Sequence, residues 1–278
     1  MAPVADPRAA LAAALSGGDD AIELARVMLL IAAEEYPELD LDAYLGRLDR
    51  LAEAIRPRLS GDEGPAALLG TINGHLYREL GFRGNAEDYQ DPRNSFLNEV
   101  LDRRTGIPIT LAVVYMEVAA RLGHRLVGVN LPLHFMLAYE TGSEPLIVDA
   151  FDGGRIMTAG EIRERLSQIA GRAIELRPEH FGRASPRMIV RRVLNNLRGI
   201  YLAGRDYPRA LAVIERMGLV LPTADVLRDR GLVLYRLRRH EEAERALREY
   251  LERAPGAPDR PAVEQHLDWL RRMRAEMS

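Results

Sequence analysis

The chain has 278 residues, enough to bury one large core or two modest ones. With 47% apolar and 28% charged residues and a net charge of −3, it has the composition of a globular protein, and no apolar run approaches the ~20 residues of a membrane span. It contains no cysteine and its 38 basic residues are all arginine, which excludes disulfides, thiolate nucleophiles, thiolate metal sites and lysine Schiff bases.

The N-terminus is Ala-rich but lacks a basic leading segment, so no secretory signal is expected and the protein is assigned to the cytoplasm. Residues 20 to 60 read as helices. "DDAIELARVMLLIAAEEYP" opens on acids that suit a helix start and stops near Pro37, and "LDLDAYLGRLDRLAEAIRPRL" carries apolar residues at three- and four-residue steps up to Pro57. "GPAALLGTINGHLYRELGF" is a third helix, ended by Gly81. A polar loop, "RGNAEDYQDPRNS", leads to a short helix starting near Asp91-Pro92 and running through "RNSFLNEVLDRRTG". "TGIPITLAVVYMEVAARLG" then forms a helix apolar almost all round, which should be buried.

From 125 to 158 the pattern changes. "RLVGVNLP", "HFMLAYE" and "PLIVDAF" read as three strands of a small antiparallel sheet, with "TGSEP" a turn between the second and third. A helical start followed by strands predicts an α+β domain over 1–186. Residues 187–278 are helical and contain a repeat: "GRDYPRALAVIERMGLVLP" aligns with "LRRHEEAERALREYLERAP" at a 33-residue offset, Ala210 on Ala243 and Pro222 on Pro255. That spacing, with small residues at the crossing, predicts two tetratricopeptide-like units and a capping helix, "RPAVEQHLDWLRRM", expected to pack on the first domain. From Arg191 onward 18 Arg face 13 acids, but the signs alternate along helices, which marks a solvated surface rather than a nucleic-acid stripe.

Three residues define a candidate site. Gly106-Ile107-Pro108 opens the buried helix, His134 begins one strand and Asp149 ends the next. A His and an Asp on adjacent antiparallel strands can be cross-strand neighbours, the Asp orienting the imidazole; a lone strand histidine is more often a structural group. Pro108 offers no nucleophilic atom. Thr110 points almost opposite to it and shares a seam with Glu117 and Arg121; Tyr115 shares its direction but lies ~10 Å along the helix. Ser95 would serve only if its loop folds over His134.

The stretch "YQDPRNSFLNEVLDRRTGIPITLAVVYMEVAARLGHRLVGVNLPLHFMLAYE", followed by "LIVDAFDGG", resembles the bacterial SirB-type family. That family joins a transglutaminase-like (papain-like) domain to C-terminal tetratricopeptide-like helices, and the resemblance covers nearly the whole chain. Active transglutaminase-like enzymes begin the corresponding helix with Gly-x-Cys and follow it with a His on one strand and an Asp on the next. The resemblance therefore places the nucleophile position at Pro108 and a residual pair at His134 and Asp149. Two departures stand out: Leu133 where the pattern has Gly before the His, and Ala150 where it has Pro after the Asp.

Asn94, Asn98 and Asp102, and likewise Ser95, Glu99 and Arg103, recur every four residues and predict two polar rows on one helix. These are either solvated ion pairs or a polar network holding a ligand near Arg93, Asn94, Asn98 and Glu99; asparagine is a poor helix former, which favours the network. His134, Asp149 and Asp152 could in principle bind a metal, but no close His pair accompanies them and the other five histidines are scattered, so neither metal nor cofactor is expected. The expected function is binding of a protein or peptide, with regulatory consequences and no nucleic-acid or membrane partner. Absence of Cys excludes thiol-dependent transglutaminase or protease activity. The alternative is a hydrolase or transferase that uses the His134–Asp149 dyad with a water or hydroxyl nucleophile.

Overall fold

Capping chemistry sets the first helices in the computed structural model, which describes residues 4–277 apart from 141 and 143. Asp6 accepts backbone N–H groups at the start of α1 (Pro7–Ala14), a helix the sequence reading missed, and Asp40 does so for α3 (Leu41–Ile55). Between them α2 (Leu24–Ala33) starts later than its acidic lead predicts. Asp19–Ala21 form a separate 3₁₀ turn, and the Ala25 N–H at the helix start is taken by Glu117 at 3.1 Å. α4 (Pro65–Asn73) widens into a π-helical turn over Gly74–Glu79 before Gly81 reverses the chain at φ 74°. The chain divides into two compact units, Met1–Val193 and Leu194–Ser278. Among the described residues no helix is long and apolar enough to cross a membrane.

The helix predicted from Asp91 to Arg104 is broken. Pro92–Ser95 form a 3₁₀ turn capped by Asp91, Phe96 is extended, and only then does α5 (Leu97–Arg103) begin. Pro92 fixes its own φ and Phe96 buries its ring edge-on against Tyr36, 5.5 Å away, so the backbone bends to bury the ring instead of continuing the helix. Two two-residue strands, β1 (Arg83–Gly84) and β2 (Thr105–Gly106), pair in parallel just ahead of α6 (Pro108–Arg121).

The sheet has five strands, not three. Their order is β6-β5-β4-β3-β7, all antiparallel: β3 (Leu126–Val129), β4 (Met136–Tyr139), β5 (Leu146–Asp149), β6 (Arg155–Met157) and β7 (Arg183–Ala184). β6 and β7 are too short to show a period of two, which is why the sequence pattern missed them. Thr141 and Ser143 of the predicted β4–β5 turn lie outside the described residues. α6 lies against β3 and β4, buried over Pro108–Tyr115 as its apolar surface predicts. Met136, Ala138 and Ile147 instead form a cluster with Ile162 and Leu166 of α7 (Ala159–Ala170). That helix starts on a reciprocal cap between Thr158 and Glu161.

In the second unit the 33-residue offset holds to the residue. After α8 (Pro186–Ala203), which carries the unit boundary, α9 (Tyr207–Val220) and α11 (His240–Arg253) begin and end 33 residues apart, as do the ends of α8 and α10 (Ala224–Arg236). Even the turns repeat. Arg205 and Arg238 both adopt left-handed backbone, at φ 57° and 59°, and each pair of helices is closed by the same backbone bonds, Asp206 to Tyr201 and Arg239 to Leu234. α12 (Arg260–Met277) packs on α11 as the cap. Ala210 and Ala243 are fully buried. Ala243→Trp should therefore overpack this unit and cost about 1–3 kcal/mol. A melting profile unchanged by the substitution would contradict the close crossing.

Candidate functional site

His134 and Asp149 are hydrogen-bonded, Nε2 to Oδ2, at 3.0 Å, with 3% of His134 and none of Asp149 exposed. They are not direct cross-strand partners. Leu137 pairs with Val148, so the position opposite Asp149 is Met136, and His134 reaches the carboxylate diagonally from two residues before β4. Burial alone would push the Asp149 carboxyl up, but the hydrogen bond and charge of His134, the Arg165 guanidinium 3.7 Å away and the Phe151 N–H on Oδ1 hold it below the ordinary carboxylate value. Because Nε2 is committed to the carboxylate, Nδ1 is the ring nitrogen left for other work. Asp152, the third candidate metal ligand, turns to Arg165.

The pair is held from two sides. Arg192 of α8 donates to the carbonyls of His134 (2.8 Å) and Leu131 (3.1 Å) and to the Asn130 side chain, while lying 5.6 Å over the Phe135 ring. Opposite, the Phe151 ring meets the His134 ring edge-on at 6.2 Å, and Tyr89 meets Phe151 at the same distance. Phe151 lies so close over Gly84 that a Cβ there would fall 2.5 Å from the ring. Gly84 pairs with Gly106, two residues before Pro108, and α6 packs on the 150–152 turn. These contacts link β1, β2 and α6 to the 150–152 turn that follows Asp149.

Pro108 is the first residue of α6 and is buried, where a missing N–H costs nothing. The hydroxyl groups on α6 are engaged elsewhere. Thr110 Oγ1 donates to the Asn94 carbonyl at 2.7 Å and accepts from the Ile107 N–H at 3.1 Å, so its one proton is already engaged. Of the predicted seam, only Glu117 and Arg121 pair: Arg121 Nη1 lies 2.6 Å from Glu117, and Arg121 Nε the same distance from Asp49, while Thr110 bonds elsewhere. Tyr115 stacks on Tyr77 at 6.4 Å, and burial pushes both phenols up, which removes either as an oxyanion near neutral pH. Ser95 is buried with Oγ lacking a partner, and among the described residues it makes no hydrogen bond to His134.

The predicted polar rows are split by the Phe96 bend into separate clusters. Asn94 and Ser95 sit on the 3₁₀ turn, and Asn98, Glu99, Asp102 and Arg103 on α5. Asn94 is fully buried, donating to the Asp88 carbonyl at 2.8 Å and accepting from Asn85. Arg93 grips Asp91 with its side chain half exposed, and Arg103 shares that carboxylate at 3.2 Å. Asn98 Oδ1 and Arg103 Nη1 are buried without partners.

Residues 42–195 match the transglutaminase-like superfamily and residues 197–268 the tetratricopeptide repeat. A UPF0162 protein of Xylella fastidiosa (strain 9a5c) is 35% identical over 253 residues, covering 90% of each chain. The chain belongs to the UPF0162 family. A UPF0162 protein of Vibrio cholerae is 28% identical across 86% of this chain and 89% of that one. Mouse F-box only protein 21 is 34% identical over 138 residues, 47% of this chain and 21% of its own length. The crystal structure of menin aligns with a TM-score of 0.47 at 11% identity, over 97% of this chain and 71% of that one, too loose a likeness to bear on function.

Within this UPF0162 chain, both departures from the expected motif have a local explanation. Leu133 adopts φ 62° and is 55% exposed. Glycine takes that conformation without cost, whereas leucine pays ~1–2 kcal/mol, and Arg192, clamping the carbonyls on either side of it, holds the turn in place. Leu133→Gly should melt no lower than wild type, with a gain of up to about 1 kcal/mol; a clear loss would mean the leucine packs on something essential. Ala150 opens the 3₁₀ turn after Asp149, a position a proline also suits. Sequence reading missed Arg165, Arg192, Phe151 and Tyr77. Arg192 lies 58 residues from His134, and no local spacing could link them.

Proposed function

We propose that this UPF0162 chain binds a protein or peptide segment and does no covalent chemistry on it. The observation that supports the reading is Pro108, a residue without a nucleophile, at the first position of α6 in a fold that keeps an intact His134–Asp149 pair. The near-complete burial of His134 beneath Phe151 adds support, since the imidazole has little surface to offer a substrate. Tetratricopeptide-like helices present the extended faces that repeat proteins use to hold other chains. In this reading the transglutaminase-like unit and the array form a cytoplasmic regulatory module. The preserved dyad supports a second reading, a hydrolase or transferase acting through water. The test is a comparison of wild type with Asp149→Asn and His134→Gln on activated esters and on amine incorporation into glutamine peptides, alongside selection of binders from a displayed peptide library. The binding reading expects saturable peptide binding and no turnover above the variants. Turnover that disappears in both variants would establish the enzyme instead.

A further inference from the structure

A cavity of about 330 Å³ lies apart from the dyad, at the low end of the range for small-molecule sites. Its basic side chains come from three places: Arg47 and Arg50 on α3, His75 on the π-helical turn, and Arg104 just past α5. No acidic side chain is among the described residues that line it. The nearby carboxylates are already engaged: Asp102 takes Arg47 and the Tyr44 hydroxyl, and Glu79 takes His75 (2.9 Å) and Arg58. Arg50 has no carboxylate partner among the described residues; its guanidinium folds back beside Gly46. Among the described residues the Arg104 side chain donates to the Leu80 carbonyl alone, at 2.8 Å. Two guanidinium charges therefore face the cavity uncompensated. Its remaining wall is apolar, with Leu51, Leu80 and Phe82 among its residues.

Two backbone features coincide with this cavity. Arg104 holds φ 54° at the end of α5, where glycine is the inexpensive residue, and this conformation accompanies the reach of its side chain back to Leu80. The π-helical turn, a form that recurs at functional sites, carries the buried His75. We propose that this cavity binds a small organic anion, a phosphate or carboxylate head held by Arg50 and Arg104 with an apolar body against Leu80 and Phe82. Guanidinium forks suit either head, since each presents two oxygens in one plane.

Calorimetric titration of the full chain with phenyl phosphate, benzoate and inorganic phosphate tests this. Saturable one-to-one binding of an aromatic anion is expected, with inorganic phosphate weaker, and the stronger of the two aromatic probes identifies the head group. Arg50→Ala and Arg104→Gly should each weaken that binding by ~10-fold or more, the loss of a charged hydrogen bond. Both variants should melt like wild type, because Arg50 is on the surface and glycine suits the Arg104 backbone. No saturable binding, equal affinity in both variants, or equal affinity for inorganic phosphate would each overturn the proposal. So would an acidic peptide that binds through Arg50 while both aromatic probes fail, since the cavity would then be a protein-docking surface.

Discussion

Asp149→Ala is expected to cost the first unit about 3–5 kcal/mol, the usual penalty for removing one partner of a buried charged pair. The carboxylate is completely buried and serves His134 Nε2, the Phe151 N–H and, at longer range, Arg165. Alanine would leave a buried ring nitrogen and a backbone donor unpaired and a guanidinium without its counter-charge. Asp149→Asn, which keeps the shape, should cost less. The pH dependence has a definite sign. The folded carboxyl titrates below its unfolded value near 3.8, so its contribution is complete above that value and is lost as pH falls through the lower folded one. Acid unfolding of wild type should accordingly be steeper below about pH 4 than that of Asp149→Ala. Parallel acid limbs for the two proteins would show that Asp149 is not held as described.

Gly154→Ala should cost about 3 kcal/mol, combining a left-handed alanine with an overpacked contact. At φ 74°, a Cβ on Gly154 would fall 1.9 Å from Asn73 Oδ1, in the same place where Asn73 Nδ2 donates to the Gly154 carbonyl at 2.7 Å. Gly153 is the internal control. It too is left-handed, at φ 63°, but nothing lies within 4 Å of its missing Cβ, so Gly153→Ala should cost only the conformational part, ~1–2 kcal/mol. Equal losses at the two glycines, measured by denaturant unfolding, would mean that the Asn73 contact does not fix the turn after Asp149.

Local pattern carried most of the architecture. The burial of α6 follows from its apolar surface, the helical array from its 33-residue offset, and β3, β4 and β5 from short runs of β-branched and aromatic residues. What escaped was short or long-range. β6 and β7 have three and two residues, below the length at which alternation is visible. The break at Phe96 follows from where its ring is buried, which no helical period encodes. His134 and Asp149 were legible because a motif brackets each. Arg192 and Arg165 were not, because each acts across the fold from a helix whose own pattern is merely amphipathic. The diagonal geometry of the dyad was likewise beyond reach, since the loop from 130 to 135 ends the ladder before His134.

The most direct measurement of the proposed reading, in which Pro108 occupies a nucleophile position served by the His134–Asp149 pair, is the thiolate titration of Pro108→Cys. The natural chain has no cysteine, so the variant carries a single thiol whose ultraviolet thiolate absorbance is read against wild type without interference. Position 108 opens α6, where the helix N-terminus favours an anion, and α6 packs on the 150–152 turn that follows Asp149. The thiol is predicted to titrate at or below about 7 and to return toward the ordinary ~8.5 when His134→Gln is added. A thiol that titrates at or above ~8.5 regardless of His134 would contradict the account, because burial alone raises a thiol that no dyad faces.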